Sequence, residues 1–270
     1  MAFFVDNFLF RNNFSVIQFF RQFRTSNYVH FTLYIAAVHF AVFIAAPFFS
    51  LYMLRDLRFS YLQFTTASAS AVLAQFMTLQ YWGKFSDRLG NKKILEMTGL
   101  LLPFIPMLWL FTENFYWICL IQVAAGFVWA GFMLSMGNFV FDAVSPGKRA
   151  KCVAISNAMN AAGIFLGAFL GGKLSGFLPS SFEWGPVTVR FASNLPALFF
   201  ISGLVRIAAG LALLRTFKEV RDVRPFSVRD LLYRVSAIRP ISGMKFDLFT
   251  GDRPGNGSAS ERGKEETKRY

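Results

Sequence analysis

GKFSDRLGNKK, residues 83–93, lies between two long apolar segments and gathers Lys84, Asp87, Arg88, Lys92 and Lys93 into one short polar connection. An apolar segment that crosses a bilayer has to end where its charges meet water. A connection this basic sits most favourably on the cytoplasmic face. Two glycines bracket the acid. Gly83 is expected to let a helix end press against a neighbour, and Gly90 to supply the positive φ of a tight turn.

The composition around this stretch points the same way. Of 270 residues, 54% are hydrophobic and 35 are phenylalanine, and the mean hydropathy is +0.43. Long charge-free runs at that composition argue for membrane spans and against a soluble domain. The net charge of +13 is concentrated in the connections and the C-terminal tail, which suits an anionic membrane face better than nucleic acid. Cys119 and Cys152 stand alone, with no CxxC, so neither a metal site nor a disulfide framework is suggested. No secretory leader is expected at residues 1–10, which lack a basic start and a small-residue cleavage site.

Six spans are predicted, over residues 28–54, 59–82, 94–111, 115–141, 150–178 and 195–214. Each reaches the roughly 17–25 residues that a helix needs to cross hydrocarbon. Pro47, Pro103 and Pro106 are expected to bend spans without ending them. Lys84, Arg88, Lys92 and Lys93 share one side with Lys148, Arg149 and Lys151. The opposite side holds only Arg55, Arg58 and Arg190, which places both termini in the cytoplasm. Four regions follow: a lead-in over 1–26 with a surface-lying helix, the membrane domain over 27–220, a basic segment over 221–250 with a short amphipathic helix after Ser227, and a disordered tail over 251–270.

The charged skeleton Gly83, Asp87, Arg88, Gly90, Lys92 and Lys93 resembles motif A of the major facilitator superfamily. Phe85, Leu89 and Asn91 depart from the commonest choices in that motif. SPGKRAK, residues 145–151, resembles the Pro–basic loop that precedes the fifth helix of a half in the same family, and the order of six spans resembles one half of such a transporter. The resemblance implies an all-α polytopic membrane fold, six transmembrane helices in a 3+3 inverted repeat, in the inner (plasma) membrane. The tail and the linker-like lead-in point to the C-terminal half. It also implies a secondary active transporter of a small solute, with a coupling proton or ion, working by alternating access. The partner would be a missing N-terminal half or a second copy. A truncated product or scaffold subunit without transport activity is the rival class.

By the same resemblance, Asp87 helps to lock the cytoplasmic side, and Asp142 is the expected partner of Arg88 in that gate. His39, near the middle of the first span, either binds substrate or a proton, or is a neutral histidine bonded to a neighbouring helix. Gln122 and Trp129 on the fourth span and Asn157 and Asn160 on the fifth are further cavity candidates. Arg206 in the sixth span is expected to find a structural partner. Gly163, Gly167 and Gly171 recur every four residues and make a stripe for close helix approach. The chain has no HExxH, no GxSxG and no P-loop lysine motif, so neither an enzyme nor an ATP-driven pump is expected. No cofactor or metal is called for, and the partners are lipid and solute, not nucleic acid.

Overall fold

A computed structural model describes residues 26–178, 181–184, 187–190 and 193–221. Its helices are α1 (Asn27–Phe43), α2 (Ala46–Leu51), α3 (Tyr61–Leu89), α4 (Asn91–Leu101), α5 (Phe104–Leu108), α6 (Phe115–Ala143), α7 (Pro146–Phe177) and α8 (Leu195–Leu213). A π-helical turn, Tyr52–Asp56, prolongs α2, and a 3-10 turn, Trp109–Phe111, prolongs α5. An antiparallel hairpin, β1 (Ser181–Trp184) and β2 (Val187–Arg190), connects α7 to α8 with Phe182 opposite Val189. The hairpin is a short addition to a chain that is otherwise all-α among the described residues. The alternating Val187, Thr188 and Val189 beside a Gly-Pro pair give its physical basis.

Among the described residues, four helical stretches are long and apolar enough to cross a membrane: Asn27–Asp56, Phe115–Ala143, Pro146–Phe177 and Leu195–Leu213. The second and third expected spans differ from these for separate reasons. Helix α3 is long but carries Thr65, Thr66, Ser68, Ser70, Gln75 and Gln80 among its apolar residues. The third is divided, because Pro103 and Pro106 lack the amide hydrogens that would continue α4. Pro47 acts more gently. The α1 ladder tightens at Ala45, whose N–H bonds to Val42 O at 3.1 Å, and helix resumes at once.

Helix packing pairs α3 with α6, α1 with α7, α1 with α8, α4 with α6, and α5 with α8. Exchanging the first three segments for the last three maps the first four of these pairs onto one another and the pair of α5 with α8 onto itself. Glycine sets the closest approaches. A Cβ on Gly163 or Gly167 would meet the carbonyl of Ala36 or Phe40, and one on Gly171 would meet that of Ile44. The expected stripe is therefore a contact surface between α7 and α1. Gly126 lies as close to the Ala71 carbonyl where α6 meets α3.

Side-chain hydrogen bonds tie the same helices together. Trp82 Nε1 donates to Phe127 O at 2.8 Å, and Ser202 Oγ donates to Ala41 O at 2.7 Å. Phenylalanine supplies much of the core, in two clusters. Near the basic connections, Phe31 stacks on Phe139 at 4.4 Å and Phe217 closes over both, fully buried. At the other end, Phe49 stacks on Phe199 at 4.3 Å beside Tyr52 and Trp109. The expected lead-in helix, the amphipathic segment after Ser227 and the tail over 251–270 lie outside the described residues.

Candidate functional site

The stretch 83–93 forms no extended loop. Helix α3 runs through Leu89, and a single residue, Gly90, both ends it and begins α4. Gly90 has φ 86°, as its place in the motif predicts. A Cβ there would also run into the Glu219 carboxylate, which accepts the Lys92 N–H at 2.7 Å. Gly83 does not have the tight contact expected of it, since a Cβ would meet only Leu134 Cδ2 at 3.9 Å. SPGKRAK is likewise helical from Pro146, with Ser145 at the N-cap position and proline in the first turn.

The gate charges are partnered differently from the expectation. Asp142 is engaged by Arg221, not Arg88. Arg221 Nε lies 3.2 Å from Asp142 Oδ2, and Arg221 Nη1 lies 3.3 Å from Asp87 Oδ1. One guanidinium beyond α8 thus bridges the ends of α3 and α6. Asp142 also accepts from Asn91 Nδ2 at 2.6 Å, and Asn91, fully buried, is hydrogen-bonded to Ser86. Asn91 counted against the motif in the sequence, yet it is the residue that fixes the turn to α6. Lys92 and Lys93 pair with Glu96 at 3.4 and 3.2 Å, one helical turn along α4. Neither the part played by Asn91 nor that of Glu219 is legible in the sequence, because each contact joins the turn to a distant position, Asn91 to Asp142 and Lys92 to Glu219.

Deeper in the bundle, a cavity of about 570 Å³ brings together three of the five cavity candidates, His39, Gln122 and Trp129. Ser50, Ser68 and Gln75 add polar groups, and Phe49 and Trp109 add aromatic walls. His39 Nδ1 is 2.9 Å from the Ile35 carbonyl oxygen. A carbonyl can only accept, so this nitrogen carries the proton, and Nε2 is the one able to take a proton or accept a hydrogen bond. The bond lies within α1, not to a neighbouring helix as in the alternative reading. Trp129 stands 6.5 Å from the His39 ring.

Asn157 and Asn160 fall elsewhere. They line a separate cavity of about 210 Å³ with Thr32 and Ser156. Its wall is fixed by Ser156 Oγ, which bonds to Tyr28 Oη at 2.6 Å and Thr32 Oγ1 at 3.0 Å. The Asn160 Oδ1 is buried with no partner among the described residues.

Arg206 also lines the larger cavity. Its Nη1 donates to Leu102 O at 2.9 Å. That carbonyl lacks its helical partner because the residue four positions on is Pro106, which has no N–H. Pro106 in the sequence is the signal that could have located this contact.

The Major Facilitator Superfamily model matches residues 31–246. The chain belongs to the Major Facilitator Superfamily. No curated protein matches it. The match spans both the Gly90 turn and the cavity, so both belong to the superfamily domain. Membership and the four apolar helices together make this a multi-pass membrane protein of a transporter family.

Proposed function

We propose that this chain is the six-helix C-terminal half of a secondary active transporter, which moves a small solute by alternating access across the inner (plasma) membrane. All six helical segments cross the bilayer in this reading, as two inverted repeats of three, with both termini in the cytoplasm. The exchange symmetry of the helix pairs supports the repeat, and the polar residues of α3 suit a span that faces protein and solute. The observation that carries the reading is the cavity between the two aromatic clusters, where His39, Gln122 and Trp129 converge. A pocket of this size with a few polar groups on apolar walls suits a small solute.

The Gly90 turn acts as the cytoplasmic gate. Asp87 is 72% exposed at its side chain, so it is available to a helix N-terminus of a partner half, where a carboxylate is favoured. Exposed apolar residues such as Phe76 and Met77 on α3 and Phe165 and Phe169 on α7 supply the surface for that half or for a second copy.

Vesicles reconstituted with the chain alone, and with a six-span N-terminal half co-expressed, test the proposal by solute counterflow. Flux that needs the added half is the expected result. Flux from the chain alone would replace the fragment reading with a self-pairing transporter. Its absence from both, across a solute screen, would sink transport in favour of a non-transporting membrane protein.

A further inference from the structure

Arg206 carries a charge that the gate and the helix packing leave unbalanced. It lies within α8 and is 4% exposed. A guanidinium keeps its proton in proteins, so the positive charge goes with it into the bundle. One backbone carbonyl, that of Leu102, accepts from Nη1, while the buried Nε–H has no hydrogen-bond partner. Among the described residues no carboxylate is within ion-pair distance of it. Glu96, which shares the adjoining groove between α4 and α8 with Arg206, is already held by Lys92 and Lys93.

A buried cation without a counter-charge is strongly unfavourable, and a bound anion removes the imbalance with charge-assisted hydrogen bonds. Arg206 also lines the cavity that holds His39, Gln122 and Trp129, and none of that cavity's lining residues is acidic. Phe49, Trp109 and Trp129 give the cavity aromatic walls that suit an apolar body.

We propose that the cavity takes a small organic anion, a carboxylate on an aromatic or branched apolar body, with the Arg206 guanidinium as its charge-recognition group. The proposal rests on the transporter reading for its biological sense, but binding can be read without flux. The purified full chain in neutral detergent is melted with 1-naphthoate, with hexanoate and with the primary amide of each. The acids are expected to raise the melting temperature and to bind about tenfold or more tightly than their amides. Arg206→Gln should remove the response to the acids. Gln122→Glu adds a carboxylate to the same cavity and leaves the guanidinium in place, so it should remove the response as well if Arg206→Gln does not fold.

Equal responses to acid and amide, or an undiminished acid response in Gln122→Glu, overturn the inference. Vesicle counterflow keeps the two readings apart. Carboxylate binding with no flux leaves the anion site standing and removes transport. Flux of neutral solutes with no carboxylate binding removes the anion site and leaves transport.

Discussion

Gly90 is the residue whose replacement is most sharply constrained. At φ 86° and ψ 154° it occupies a region open essentially to glycine, and Glu219 fills the space a side chain would need. Gly90→Ala is expected to cost about 1–3 kcal/mol from the backbone alone, seen as a lowered melting temperature in detergent. Gly83→Ala, four residues before the motif's acid, should leave it unchanged, since its new methyl reaches ordinary contact distance only. The two carboxylates of the turn should also separate. Asp142, 18% exposed at its side chain, pairs with the Arg221 guanidinium and accepts from Asn91. Asp142→Ala should therefore cost about 1–3 kcal/mol, because it strands a hydrogen-bonded amide and a cation. Asp87→Ala, at a largely exposed pair, should cost about 0.2–1 kcal/mol and less at high salt. Denaturation of both variants at two ionic strengths checks the order. Equal costs would mean that Arg221 does not bridge the two helix ends in solution.

The contact between α1 and α7 depends on three glycines, and it makes a prediction with its own control. Gly167→Ala and Gly171→Ala place a methyl against the carbonyls of Phe40 and Ile44. The helices must separate, at an expected cost of about 1–3 kcal/mol for overpacking a close interface. Gly172→Ala, next along the same helix, meets nothing within 4 Å and should leave the melting temperature unchanged or slightly raised, since alanine favours helix over glycine. A uniform effect at all three positions would show helix propensity at work and not the α1–α7 contact. The division of the third segment is also an element-scale property. Pro106 leaves the Leu102 carbonyl without a helical donor, and Arg206 of α8 supplies one. A break in one helix thus fixes the depth of a charge on another.

The whole molecule is set by which connections face which side. Lys148→Cys at the start of α7 and Glu113→Cys between α5 and α6 fall on opposite faces in the proposed topology. With Cys119 replaced by serine and the buried Cys152 retained, a membrane-impermeant maleimide applied to intact cells should label Glu113→Cys alone. Inverted vesicles should label Lys148→Cys alone. Labelling of both positions from one side would break the six-span topology, while the four apolar helices and the family would stand. At this scale α7 is also the least covered of the four apolar helices. Its Phe165 and Phe169 stack on one another at the surface, an arrangement that lipid or a partner half accommodates more readily than water.

The sequence by itself determined the family, the apolar character of the helices, the positive φ at Gly90 and the glycine stripe of α7. Each of these is carried by residues close together in the chain, where spacing and hydropathy report directly on local structure. The tertiary structure alone decided the partners. Arg221 took the place of Arg88 at Asp142, Asn91 became the anchor of the turn, and Glu219 filled the space beside Gly90. Likewise, His39, Gln122 and Trp129 came to share one cavity with Arg206, while Asn157 and Asn160 went to another. Those pairings join positions tens to more than a hundred residues apart. Their geometry depends on how the helices cross, and no local pattern of residue types encodes a crossing.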